Sequence, residues 1–98
     1  MKPARFDPGA EADLSEAVAW YEARCPGLGL EFADVVRAAL QTISANPERW
    51  PRRTQNTRQY RLQRFPYAVV YLEQADAIWI VAVAHQSRKP SYWAERLR

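Results

Sequence analysis

The chain has 98 residues, 48% of them apolar, with four tryptophans and a formal net charge of +3. A chain of this length buries roughly 60 to 68% of its unfolded surface, so one modest core and a single domain over residues 1–98 are expected, and the composition excludes a disordered protein. The single cysteine, Cys25, excludes an internal disulfide and a cysteine-rich metal site. With no basic-then-apolar N-terminal signal and no apolar run near the ~18 residues that span a bilayer, a cytoplasmic protein without membrane contact is expected.

Lys2 to Phe6 alternates briefly and is read as a first strand. Asp7-Pro8 is a helix start, because Asp accepts the orphan backbone N–H groups and Pro loses nothing at the first helical position. Leu14, Ala17, Val18 and Tyr21 follow at helical spacing, which predicts a helix over 8–24. Pro26-Gly27 breaks it. A second helix is predicted over 28–45, with Phe32, Val35, Val36, Ala39, Leu40 and Ile43 as its apolar stripe, ending at Asn46-Pro47 because the residue before Pro avoids the α region. So short a turn implies an antiparallel helical hairpin.

Residues 48–57 form a polar, arginine-rich connector containing Trp50-Pro51. From Arg58 the period changes to two, giving a strand with one wet face. Residues 67–72 and 78–84 are apolar on both faces and read as inner strands joined by a loop at Glu73 to Asp76. Pro90 can open a last amphipathic turn through Tyr92 and Trp93 to Leu97, placed to cap an edge of the sheet. The fold class that follows is α+β: a small, mostly antiparallel sheet with an N-terminal strand, a helical hairpin on one face and a short C-terminal helix.

Charge is unevenly distributed. Residues 1–34 carry seven acids against three bases, whereas residues 49–64 carry six arginines and no acid. Arg49, Arg52, Arg53, Arg58, Arg61 and Arg64 would attract a polyanion or an acidic partner segment, and the guanidinium fork suits phosphate or carboxylate. A solvated face is the plainer explanation of the same run. His85, the only histidine, could act as acid or base, although a histidine with no carboxylate beside it also fits a structural role. Tyr92 could donate a proton or stack on a base, and Tyr92-Trp93 is equally well explained as a packing cap. Trp20 lies about 100° from the centre of the first helix's stripe, so partial exposure and a partner surface are expected; Trp50 shares that ambiguity. No phosphate loop, serine nucleophile motif or metal ligand set is present, and no cofactor or metal is expected.

Several short pieces occur together in order: Asp13-Leu14, Trp20-Tyr21-Glu22, Gly27-Leu28-Gly29, Phe32, Asn46-Pro47, Phe65-Pro66-Tyr67 before Tyr71, Val83-Ala84-His85, and Arg88 to Tyr92-Trp93. In this combination the chain resembles the RelE/ParE superfamily of toxins from bacterial type II toxin–antitoxin systems. The resemblance covers nearly the whole chain and implies a toxin neutralised by a cognate antitoxin in a hetero-oligomer.

Members similar to RelE cut messenger RNA on the ribosome without a metal, using cations on the inner strands, an Arg near the end of the last strand and often a terminal Tyr. The chemistry needs a base for the ribose 2′-OH, cations for the phosphorane and an acid for the leaving oxygen. Here Ala68 stands where such members carry a cation directly after the tyrosine matching Tyr67, and Gln86 stands where they carry Arg. Arg61 occupies a lysine position, and Gln59 replaces another lysine. Members similar to ParE lack this set and poison DNA gyrase by protein contact, and the missing cations place the chain nearer that branch. The resemblance therefore implies gyrase as target, with Arg58, Arg61, Arg64, Arg88, Tyr92 and Trp93 as target contacts and Trp20, Trp50, Arg52 and Arg53 as antitoxin contacts. The alternatives are a ribosome-dependent endoribonuclease using Arg61, His85, Arg88 and Tyr92, and a binding module that kept the fold without toxicity.

Overall fold

A computed structural model describes residues 1–89 and 91–97. Strand β1 (Ala4–Phe6) leads into helices α1 (Pro8–Arg24) and α2 (Leu28–Ala45), followed by strands β2 (Arg58–Arg61), β3 (Tyr67–Glu73) and β4 (Ile78–His85) and the short helix α3 (Ser91–Ala94), which tightens into a last turn at Glu95–Leu97. The sheet order is β1-β4-β3-β2. β1 runs parallel to β4 and the other pairs are antiparallel. The two apolar runs are the inner strands, as their hydrophobicity on both faces requires.

The helix boundaries follow from local chemistry. The Asp7 carboxylate accepts from Gly9 N–H at 2.8 Å and caps α1. At the start of α2 there is no side-chain cap from Gly27 itself, whose φ of 90° suits glycine. Glu22, reaching back from α1, accepts instead from the N–H groups of Gly27 at 2.9 Å and Gly29 at 3.1 Å, placing a carboxylate at the positive end of α2. A Cβ on Gly29 would meet the Val18 carbonyl oxygen at 2.6 Å, so glycine is what lets the two helices approach this closely.

The hairpin lies on one face of the sheet. Phe32, Val36, Ala39 and Ile43 of α2 and Ala10 and Ala17 of α1 pack on Val69, Tyr71, Ile78, Ile80 and Val83. The other face carries a smaller cluster in which Trp93 packs with Val70, Val81 and Ala82. Strand β4 serves both faces by alternation, and that alternation is interrupted once: Val70 pairs with Ala82 but Tyr71 with Ile80, leaving Val81 as an extra residue. This bulge puts Ile80 and Val83 on the hairpin side with Val81 and Ala82 both in the opposite cluster.

β1 pairs only with Ile78 to Ile80, so it leaves the bulged half of β4 uncovered. Asp13 of α1 and Arg96 close that edge. The Asp13 carboxylate accepts from Val83 N–H at 3.1 Å, from the Tyr92 hydroxyl at 3.2 Å and from Arg96 at 2.8 Å, while Arg96 also donates to the Val81 carbonyl at 3.0 Å. The C-terminal segment thus caps a sheet edge, as its sequence led one to expect, and in addition covers a face through Trp93. Gly9 makes room for this arrangement, since a Cβ there would overlap the Arg96 guanidinium.

Candidate functional site

The rim of the molecule that gathers most of the candidate residues lies where β3 begins and β4 ends. Tyr67 and His85 pair across the two strands, and their rings meet edge-to-face with centroids 5.0 Å apart. Phe32 backs Tyr67, and Phe65 packs on both Phe32 and Tyr21 of α1. The result is a rigid aromatic partition. The chain then turns sharply: Gln86 N–H donates to Pro66 O at 2.8 Å and Arg88 N–H to His85 O at 2.9 Å.

Two concavities share this partition. On the strand side a small one of about 150 Å³ is bordered by Gln59, Arg61, Ala68, His85, Gln86 and Arg88. On the helix side a groove of about 540 Å³ runs between α1 and the end of β4, bordered by Glu16, Trp20, Tyr21, Tyr67, Arg88 and Tyr92. Trp20 is 51% exposed, as its position off the apolar stripe predicted, and the Arg24 guanidinium sits 3.9 Å from its ring centroid.

Both acid–base candidates make hydrogen bonds within the chain. His85 Nδ1 accepts from Ser87 N–H at 3.0 Å, which puts the proton of the neutral ring on Nε2. The Tyr92 phenol is pushed up to about 12, first by burial and then by the adjacent Asp13 carboxylate to which it donates. Burial likewise raises Tyr67. Arg88 rests 3.9 Å from the Tyr92 ring centroid with its head exposed. Among the described residues no cluster of His, Cys, Asp and Glu could hold a metal ion.

Of the residues proposed from sequence, Arg61, Arg64 and Arg88 are exposed. Arg64 reaches Glu31 on α2 at 2.7 Å, an exposed pair of little energetic weight. Two target contacts need correction. Arg58 is only 8% exposed and its guanidinium donates to the carbonyls of Glu48 and Trp50, so it pins the connector. Trp93, 3% exposed, is the core of the second apolar cluster. Neither presents a side chain to a partner in this structure. Trp50 is half-buried and packs edge-to-face on Tyr60 at 5.0 Å, while Arg52 and Arg53 are exposed on the connector, away from the Trp20 groove.

Sequence reasoning missed the positions that organise the rim, Asp13 and Arg96. The signal for Asp13 was available: it lies three residues after Ala10 and four before Ala17, both buried, so a carboxylate stands on the buried stripe of α1 and needs partners.

A search of curated proteins finds no match. Ten chains among solved structures do match. One of them, from the chromosomal ParDE toxin–antitoxin system of P. aeruginosa, is 18% identical with a TM-score of 0.76, over 87% of this chain and 96% of that one, a likeness of fold. The family model for the ParE toxin of the type II toxin–antitoxin system, parDE, matches residues 4–90, and the chain accordingly belongs to the ParE toxin family.

Proposed function

We propose that this chain is a toxin that inhibits DNA gyrase by protein contact and is neutralised by a cognate antitoxin. Membership of the family implies an antitoxin partner; the target and the mode of neutralisation are our reading. The observation that carries it is the state of the proton-transfer groups on the rim. Tyr92 spends its proton on Asp13, His85 Nδ1 is occupied by Ser87 N–H, and Ala68 and Gln86 line the strand-side concavity where nuclease relatives would supply cations. What remains is a surface suited to recognition: exposed Arg61 and Arg88 beside an aromatic wall. The Trp20 groove, lined by Trp20, Tyr21, Ala17 and Val83 together with the charged Glu16 and Arg88, is our candidate for the antitoxin segment, which would fold on binding.

One observation favours the ribonuclease alternative. Arg61, His85 and Arg88 do border a single concavity, with Tyr92 stacked beneath Arg88. Phosphorane stabilisation by two arginines is chemically reasonable, but no general base with a free lone pair stands beside them, because Nδ1 is occupied and Nε2 carries the proton.

Induced expression without the antitoxin separates the two. Growth arrest with DNA double-strand breaks, loss of supercoiling by purified gyrase and intact messenger RNA are expected. Codon-position cleavage of messenger RNA on ribosomes, abolished by His85→Ala, would replace gyrase with the ribosome as target.

A further inference from the structure

Arg49, Arg53 and Arg61 line a second basic concavity of about 400 Å³, bordered also by Trp50, Gln59 and Gln63, between the connector and the outer strand β2. We propose that it binds the phosphodiester backbone of duplex nucleic acid. It shares Arg61 with the candidate target surface, whereas Arg49 and Arg53 do not border the rim and carry its test.

The charge at this place is only weakly opposed. From residue 35 to residue 72 the chain carries seven arginines and one acid, Glu48. Among the described residues none of the three lining arginines is in an ion pair, and no carboxylate lines the concavity. Glu48 and Glu73 border an adjacent recess, whose lining includes Arg49 but neither Arg53 nor Arg61.

The connector bearing Arg49 and Arg53 is held in one shape. Tyr71 donates to Pro47 O at 2.7 Å, and Arg58 donates to the carbonyls of Glu48 and Trp50. Arg53 N–H bonds Thr57 O at 2.6 Å, and the buried Thr57 hydroxyl bonds Thr54 O at 2.8 Å. The turn between them uses two left-handed residues, Gln55 at φ 56° and Asn56 at φ 65°. Such a conformation is sterically costly for Gln. A segment that served only as a solvated link would need none of these constraints, whereas anchoring the backbone before binding reduces the ordering cost of recognition.

The ligand's chemistry follows from what surrounds the guanidiniums. Arginine forks match phosphate oxygens, and Gln59 and Gln63 add neutral donors on the same strand. Trp50 and Tyr60 are half-buried and packed edge-to-face on one another, so neither stands out as a stacking platform for splayed bases. Backbone contact with a duplex is therefore favoured over single-strand binding and over an apolar peptide, which would require an exposed apolar floor.

The test is fluorescence anisotropy of the purified full chain with a labelled random-sequence DNA duplex across a salt series. Contact with three phosphates should give a log–log slope of about −2.7, and Arg49→Gln or Arg53→Gln should each flatten it by about 0.9. Both residues are exposed, so unchanged melting curves are expected and confirm that the effect is on binding. A slope unaffected by either variant, tighter binding to single-stranded DNA than to the duplex, or displacement by poly-glutamate at equal charge concentration would each overturn the proposal, the last by making the site a dock for acidic peptide. Growth arrest is not a readout here, so failure of the duplex test leaves the gyrase assignment to its own experiment.

Discussion

The two faces of the sheet are covered by different means. The hairpin face is closed mainly by area: two long helices bury Phe32, Val36 and Ile43 against β3 and β4, and the buried Tyr71 hydroxyl and the Arg58 guanidinium beside it donate to connector carbonyls. The opposite face is covered by a C-terminal segment of two short turns, whose apolar anchor is Trp93. A segment that small gains little from burial and would fray. It is fastened by charge instead, through Arg96 and Tyr92 converging on Asp13 at the uncovered edge of β4. The lesson is that a short element can be held by a polar clasp when the clasp also satisfies backbone groups that a missing strand would have paired.

The largest expected effect breaks the area-driven face. Phe32 is fully buried and touches Phe65 and Tyr67 edge-to-face. Phe32→Ala should cost about 4 kcal/mol, from lost transfer energy and the cavity left behind. Chemical denaturation would measure it; a loss under about 1 kcal/mol would mean that the hairpin does not depend on this contact.

The next effect breaks the clasp. Asp13 and Arg96 are mostly buried, with side chains 13% and 19% exposed. Asp13→Ala leaves a guanidinium, a phenol and the Val83 N–H without their acceptor, and should cost about 3 kcal/mol, because removing one partner of a buried pair strands the other. The double variant Asp13→Ala/Arg96→Met should recover part of this loss. If the single and double variants are equally destabilised, the ion pair is not what fastens the C-terminal segment.

Much of this architecture was legible in the chain. Asp7-Pro8, Pro26-Gly27 and Asn46-Pro47 are local stereochemical signals, and they placed both helices within a residue of their observed ends. The inner strands were legible because two-sided burial leaves a continuous apolar run. The clasp was not, because Asp13 meets partners 70 to 83 residues away, and no local rule links them. The β4 bulge was also hidden, since Val81 and Ala82 are both apolar and look the same in either register. Arg58 misled for a related reason: an arginine at the start of an apparently wet strand looks solvated until the connector's carbonyls fold over it.

A smaller effect separates the faces by pH. Tyr71 on the hairpin side and Tyr92 in the clasp are both pushed up to about 12, mainly by burial. A folded value above the unfolded value of about 10 means that the stability they contribute is fully present below pH 10 and is lost as pH rises through 12. Thermal melts between pH 9 and pH 12 should fall across this window, and Tyr92→Phe should flatten the fall while lowering stability at neutral pH by about 1 kcal/mol for the lost hydrogen bond. An unchanged alkaline slope in that variant would remove Tyr92 from the account.

The smallest effect on stability is expected at the rim, where the clasp meets the candidate target surface. Arg61 projects from the edge strand with no partner among the described residues, so Arg61→Ala should melt within about 0.5 kcal/mol of the parent. Arg88 lies over the Tyr92 ring, and its loss should cost up to about 1 kcal/mol by removing a cation–π contact. Arginines at the centre of a recognition surface, by contrast, commonly cost about 2 kcal/mol or more of binding when truncated. Both variants should therefore fold and yet relieve growth arrest, and Tyr92→Phe, which keeps the ring under Arg88, should remain toxic. If Arg61→Ala and Arg88→Ala stay fully toxic, or lose toxicity only by unfolding, the two arginines decorate the rim and the target surface must lie elsewhere, with the Trp20 groove the first place to look.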